Sequence, residues 1–220
     1  MARRYRKRDK EGSMARMVWA IGEILRTKGH RFLYLNEIAR CADVGKQYVK
    51  KYFGSVNGLI RAYIMETEYW LPHFEEVKSQ PLPAPDNLLD YYISTLQEQF
   101  RYFNETPELQ KIILWQISEP NALMRSISER REKDGALLLG LSDPHFLNSG
   151  ISLKAVVAMI LGGGYYVAMQ AGTNNSPVCG IDVNTERDRE IFIETMVQIL
   201  KWAWKAADEN RHKHGLKKNV

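Results

Sequence analysis

Apolar residues recur at three- and four-residue intervals in segment after segment of this 220-residue chain, and no run of alternating β-branched residues interrupts them. That period puts successive apolar side chains on one helix face, so the pattern predicts an all-α protein. Met14, Met17, Val18, Ile21 and Leu25 line a first helix that Gly29 stops. Leu35, Ile38, Ala39 and Ala42 mark a short second helix. A third runs from about Lys46 to Phe53 before Gly54-Ser55 breaks it, and Leu59, Tyr63, Ile64 and Thr67 begin a fourth that continues to about Trp70. Pro72, Pro81, Pro83 and Pro85 then punctuate a stretch that cannot be uniformly helical.

Beyond the prolines, Leu89, Tyr92, Ile93, Leu96, Phe100 and Phe103 form an apolar stripe on a fifth helix. Thr106-Pro107-Glu108 is a start signal, with a capping hydroxyl, a first-turn proline and an acid suited to the helix's positive end. Pro120 opens the next helix, which runs to about Leu139. Ser152 begins a long segment to about Gly172, and Thr185-x-x-Asp188 has the form of a capping box for the last helix. Gly162-Gly163-Gly164 lies inside the long segment, where each glycine costs about 1 kcal/mol relative to alanine. Either another helix approaches closely there or the helix breaks into a loop; the lack of Pro, Asn or Asp beside the glycines favours close packing.

Charge divides the chain. Residues 1–60 hold 14 Lys and Arg against 5 Asp and Glu, whereas residues 61–220 hold 17 against 21. A basic head on a mildly acidic body points to a polyanionic partner for one end. The divisions expected are a basic arm over 1–12, a basic head over 13–60 and a larger body over 61–220. No apolar run reaches the roughly 18–20 uninterrupted residues of a membrane span, because the three glycines interrupt the longest candidate, and acidic residues follow the basic start where a signal peptide would turn apolar. Cys41 and Cys179 are the only cysteines, too few for a disulfide framework. A cytoplasmic protein is expected.

The sharpest local pattern spans Leu35 to Phe53. Two helices of about two turns each meet at Asp43-Val44-Gly45, with small Ala39 where they cross and Val44 in the turn. A helix-turn-helix needs this arrangement. Val49 packs inward, one turn beyond, and Lys46, Gln47, Tyr48, Lys50, Lys51 and Tyr52 remain as candidates for DNA contact, offering donors for base edges and cations for phosphates. Arg3, Arg4 and Arg6, in the arm, suit an adjacent minor groove or the phosphates beside it.

Residues 13–64 resemble the N-terminal DNA-binding domain of TetR-family transcriptional regulators. The resemblance rests on Leu25 and Gly29, Ile38-Ala39, Ala42, Val44, and Tyr52-Phe53 followed by Ser55 and Leu59. The rest of the chain is similar in length and helical layout only. Family members usually carry Thr or Ser at Tyr34, Gly at Asp43, Ser at Gly45, Tyr at Lys50 and Lys at Val56. The resemblance implies a three-helix head on a larger helical body that binds a ligand and dimerises. It also implies a four-helix bundle between the last two long helices of two subunits. Gly162, Gly163, Phe192, Met196, Ile199 and Ala203 are the residues expected there, and Trp202 and Trp204 widen the last helix's apolar surface beyond what a monomer's surface helix needs.

Aromatic and Met residues crowd the middle helices. Such stripes are commonly core, yet a pocket is what the resemblance implies, with Tyr92, Phe100, Phe103, Trp115, Met124, Tyr165, Tyr166 and Met169 as its candidate lining. That lining suits an apolar or planar effector, with Glu98, Gln116 and Glu119 as candidate polar groups. No cofactor or metal is expected: His212 and His214, two apart, do not share a helix face. Neither a phosphate-binding glycine loop, nor a Gly-x-Ser-x-Gly elbow, nor a His-Glu-x-x-His pair occurs. The expectation is therefore a ligand-responsive repressor, not an enzyme, that binds a palindromic operator as a dimer. The alternative is a helical protein-interaction module of the same fold without specific DNA recognition.

Overall fold

The structure, a computed structural model, describes residues 10–217, with side chains to residue 210. The protein is all-α. Among the described residues the helices are α1 (Lys10–Thr27), α2 (Leu35–Ala42), α3 (Gln47–Phe53), α4 (Val56–Thr67), α5 (Trp70–Ser79) and α6 (Leu88–Glu105). They continue as α7 (Pro107–Ser118), α8 (Ala122–Gly140), α9 (Asp143–Phe146), α10 (Leu153–Asn174) and α11 (Glu186–Lys217). The one β interaction among these residues is an isolated bridge between Val178 and Ile181.

Two compact units divide the chain: residues 1–68 with 111–128, and residues 69–110 with 129–220. In the first unit α1 packs against α2 and α4, and α3 against α4. Met17, Ile21, Ile24 and Leu25 of α1 meet Ile38, Val49, Leu59 and Ile64 in a core from which water is excluded. Gly22 lets α4 come close, since a Cβ there would sit 2.8 Å from the Tyr63 hydroxyl. Ile60 and Ile64 are buried, so the whole of α4 belongs to this unit instead of starting the next one near residue 61. At its other end α1 already includes Lys10, Glu11 and Gly12, residues expected in the arm.

Between α2 and α3 the turn explains one departure from the family pattern. Asp43, at φ 50°, is left-handed at the end of α2, where glycine is the easy choice and Asp is among the few other residues that tolerate it. Tyr34 begins α2 without a side-chain cap. Ser55 caps α4 by accepting from the Gly58 amide at 3.0 Å.

In the second unit α6 packs against α10 and α11, and α10 against α11. Phe100 and Phe103 are fully buried between them. The glycine triplet does not form a loop: α10 runs through it unbroken. Gly164 provides the close approach, with a Cβ there only 3.1 Å from the Phe100 ring, while Gly162 and Gly163 have nothing within 4 Å. Unbroken, α10 is long and apolar enough to cross a membrane by length and composition, contrary to the expectation that its glycines interrupt it. Here it buries one face, with Leu153, Val157, Ile160, Val167 and Ala171.

Two helix starts use other groups than expected. Thr106 turns its hydroxyl back to the Tyr102 carbonyl at 2.6 Å, and Asn121, not Pro120, caps α8 by accepting from the amides of Leu123 and Met124. At α11, Thr185 caps Asp188 as predicted, but the Asp188 carboxylate accepts from the Asp182 amide instead of closing the box. Pro72 does not end a helix; it occupies the first turn of α5, where its missing N–H has no partner to lose.

Candidate nucleic-acid interface and ligand cavity

Helix α3 is held by Val49, 1% exposed, which seats it on α4. With that side chain turned in, Lys46, Gln47, Lys50 and Lys51 are exposed. No described residue forms an ion pair with these three lysines. Tyr48 and Tyr52 are half-buried and stack at 5.5 Å, and Lys51 Nζ lies 5.9 and 5.8 Å from their ring centroids. Lys51 therefore arrives pre-positioned over an aromatic pair. A groove of about 450 Å³ beside it is lined by Tyr48, Lys51 and Tyr52 with Lys10 and Met14 of α1. Lys10, expected in the arm, is a further cation at this groove. Arg3, Arg4 and Arg6 lie outside the described residues, as do the side chains of His212 and His214.

Lys28 and Arg40 of the head are already engaged. Glu37 accepts from Arg40 Nη2 and from Lys28 Nζ, each at 2.6 Å. Arg40, then Lys28, pull its carboxyl from the ordinary 4.5 down to about 2. A depressed carboxyl stabilises the fold fully above pH 4.5 and loses that contribution as pH falls toward 2. The urea midpoint of the parent chain is accordingly expected to exceed that of Glu37→Gln at pH 7, with the gap narrowing steadily below pH 4.5. A gap of constant size down to pH 2.5 would refute this role.

The segment 111–128 is fastened onto the head. Lys111 Nζ donates to the Arg26 carbonyl at 2.6 Å, and Arg61 Nη2 donates to Ser126 Oγ at 2.7 Å. The His30 ring stacks on Trp115 with centroids 4.9 Å apart. Trp115 Nε1 donates to Glu119 Oε1 at 2.9 Å. Trp115 and Met124, expected to line a pocket, are instead buried in this first unit, and Gln116 and Glu119 lie there too.

In the second unit α5, α6, α8 and α10 line a partly open cavity of about 340 Å³. Of the expected lining, Tyr92 and Tyr165 are in its wall. Phe100 and Phe103 are core behind it, Phe103 lying 4.3 Å from the Tyr165 ring. Tyr166 points outward at 58% exposure, and Met169 is half-buried away from the wall. Trp70 and Phe74 of α5, Leu96 of α6, Arg131, Gly135 and Leu138 of α8 and Leu161 of α10 are also in the wall. The Trp70–Phe74 spacing signals one helix face; nothing in the sequence marks Arg131 as facing a cavity.

The aromatic walls use their polar atoms on one another. Trp70 Nε1 and Gln99 Nε2 both donate to the Tyr165 hydroxyl at 3.2 Å. The Tyr92 hydroxyl donates to the Leu138 carbonyl, and the Tyr91 hydroxyl meets His73 Nε2 at 3.0 Å. Burial pushes both tyrosines above their ordinary range and His73 below its own, so the phenols stay protonated and the imidazole neutral. Tyr69, just before α5, donates its hydroxyl to the Thr95 carbonyl and to Glu98, and neither Tyr69 nor Glu98 is in the cavity wall.

The expected dimer residues differ in burial. Met196 is buried and Phe192 packs on Phe100 at 4.9 Å, so both serve their own unit's core. Ala203 is half-buried. Gly162, which also borders the cavity, Gly163 and Ile199 are exposed, in company with Met159 (69%), Ile191 and Trp202 (60%). Together with Tyr166 these make an apolar outer face on α10 and α11. No protein-family model matches this chain, nor does any curated protein sequence.

Proposed function

We propose that this chain is a ligand-responsive transcription regulator of the TetR type, most simply a cytoplasmic repressor that binds a palindromic operator as a homodimer. The observation that carries the reading is α3, which presents Lys46, Gln47, Lys50 and Lys51 to solvent from a base fixed by buried Val49. Such a helix offers cations to phosphates and amide and ammonium donors to base edges. The sequence resemblance over residues 13–64 supports the same assignment. The cavity supplies a place for an effector, and the outer face of α10 and α11 a place for a second subunit.

Helix α8 carries Met124 and Ile127 in the core of the head unit and Arg131, Gly135 and Leu138 in the cavity wall. If a ligand in the cavity lowers operator affinity, operator DNA must weaken ligand binding by the same factor. The second reading, a protein-interaction module, draws on Val56 and on Lys51 being occupied by its own tyrosines. Selection of bound duplexes from a random library separates the two. Two half-sites with their centres about one helical turn apart, or a multiple of that, are expected; a library that emerges unenriched would favour the module.

A further inference from the structure

We infer that the effector is an apolar carboxylate, with a compact, preferably planar body among the aromatic rings and its anionic group against Arg131. This rests on the reading of the cavity as an effector site. The body follows from the walls: Trp70, Phe74, Leu96, Leu138 and Leu161 present apolar surface, and the indole and phenol donors nearby are bonded within the protein. A volume of about 340 Å³ equals about eleven waters' share of liquid, so the ligand has on the order of a dozen non-hydrogen atoms.

The charge follows from the two ionic residues in the wall, Arg131 and Glu132. Glu132 is exposed and solvated by water, whereas Nε and Nη2 of Arg131 are shielded from solvent. The interior therefore senses the cation. Elsewhere on these helices Lys78 pairs with Asp134 at 2.9 Å and Arg130 with Glu75 at 3.3 Å. A guanidinium carries five N–H donors in a planar fork, so it retains donors for a carboxylate beyond those a protein partner engages. A carboxylate in an otherwise apolar cavity gains charge-assisted hydrogen bonds that a neutral isostere lacks.

The test is calorimetric titration of the full-length protein with three probes of one shape: 2-naphthoate, 2-naphthamide and 2-naphthylmethylamine. Naphthoate is expected to bind on the order of tenfold more tightly than the amide, and the amine most weakly. Arg131→Gln is expected to erase the preference for naphthoate while leaving amide binding unchanged, and Arg131→Lys to retain part of it. Retained amide binding shows that the variant cavity is intact. Equal binding of acid and amide, tightest binding of the amine, or naphthoate affinity indifferent to Arg131→Gln would overturn the proposed ligand class and leave the cavity reading standing. Failure of all three probes would overturn the cavity reading itself, and this inference with it.

Discussion

The double variant Lys50→Gln, Lys51→Gln is expected to bind its selected operator roughly 4,000-fold more weakly than the parent at 0.1 M salt, because each lost phosphate contact removes about eightfold there. Two lysines in each of two subunits make four contacts. The slope of log affinity against log salt should flatten by about 3.6, at roughly 0.9 for each contact. Neither side chain supports the fold: both are exposed, and glutamine preserves helix propensity and much of the stem. Lys51 needs separate attention because it lies over Tyr48 and Tyr52, so its loss also frees the ring pair. Lys50→Gln alone isolates the phosphate term and should flatten the slope by about 1.8. Fluorescence anisotropy across a salt series measures both quantities. An unaltered slope would remove α3 from the DNA interface.

Ile199→Glu with Trp202→Glu is expected to convert a dimer into monomers. Both side chains stand on the exposed face of α11, so within a subunit the exchange is a surface change, worth only about 0.5 kcal/mol of stability. In a two-fold interface the same residues meet their own copies or close neighbours. Two carboxylates per subunit would then be desolvated without partners, which costs several kcal/mol per buried ion. Light scattering at micromolar concentration should give the subunit mass for the variant and twice that mass for the parent. Operator affinity should fall with it, because a lone head contacts one half-site. A variant that remains dimeric would place the interface elsewhere. Met196→Ala serves as the contrast: Met196 is buried in its own subunit, so this change lowers the unfolding midpoint without altering the mass.

Helical patterning was legible nearly throughout, since burial of one face leaves a period in the residues themselves. The first three helices, the stripe on α6, and α8 all lie where their apolar spacing puts them. Punctuation was less reliable. Pro72 reads as a breaker, yet at the first turn of α5 it costs no hydrogen bond. The glycine triplet stays helical because Gly164 receives Phe100, a contact between residues 64 positions apart. In the head, the exposed lysines of α3 were readable because Val49 and the turn orient a short helix unambiguously.

Composition, period and charge by themselves determined an all-α chain with a short, basic helix near one end and aromatic, Met-rich helices beyond it. Only the tertiary structure decided which aromatics face an opening. It put Trp115 and Met124 in the head's core and Phe100 and Phe103 behind the wall. It brought Trp70, Phe74 and Arg131 around the cavity, and left Met159, Tyr166 and Trp202 outside. The physical reason is that burial makes a residue apolar whether it touches a neighbour, a void or a second subunit. Sequence records that a face is apolar, while the divergence of four helices and the reach of each side chain decide what that face meets.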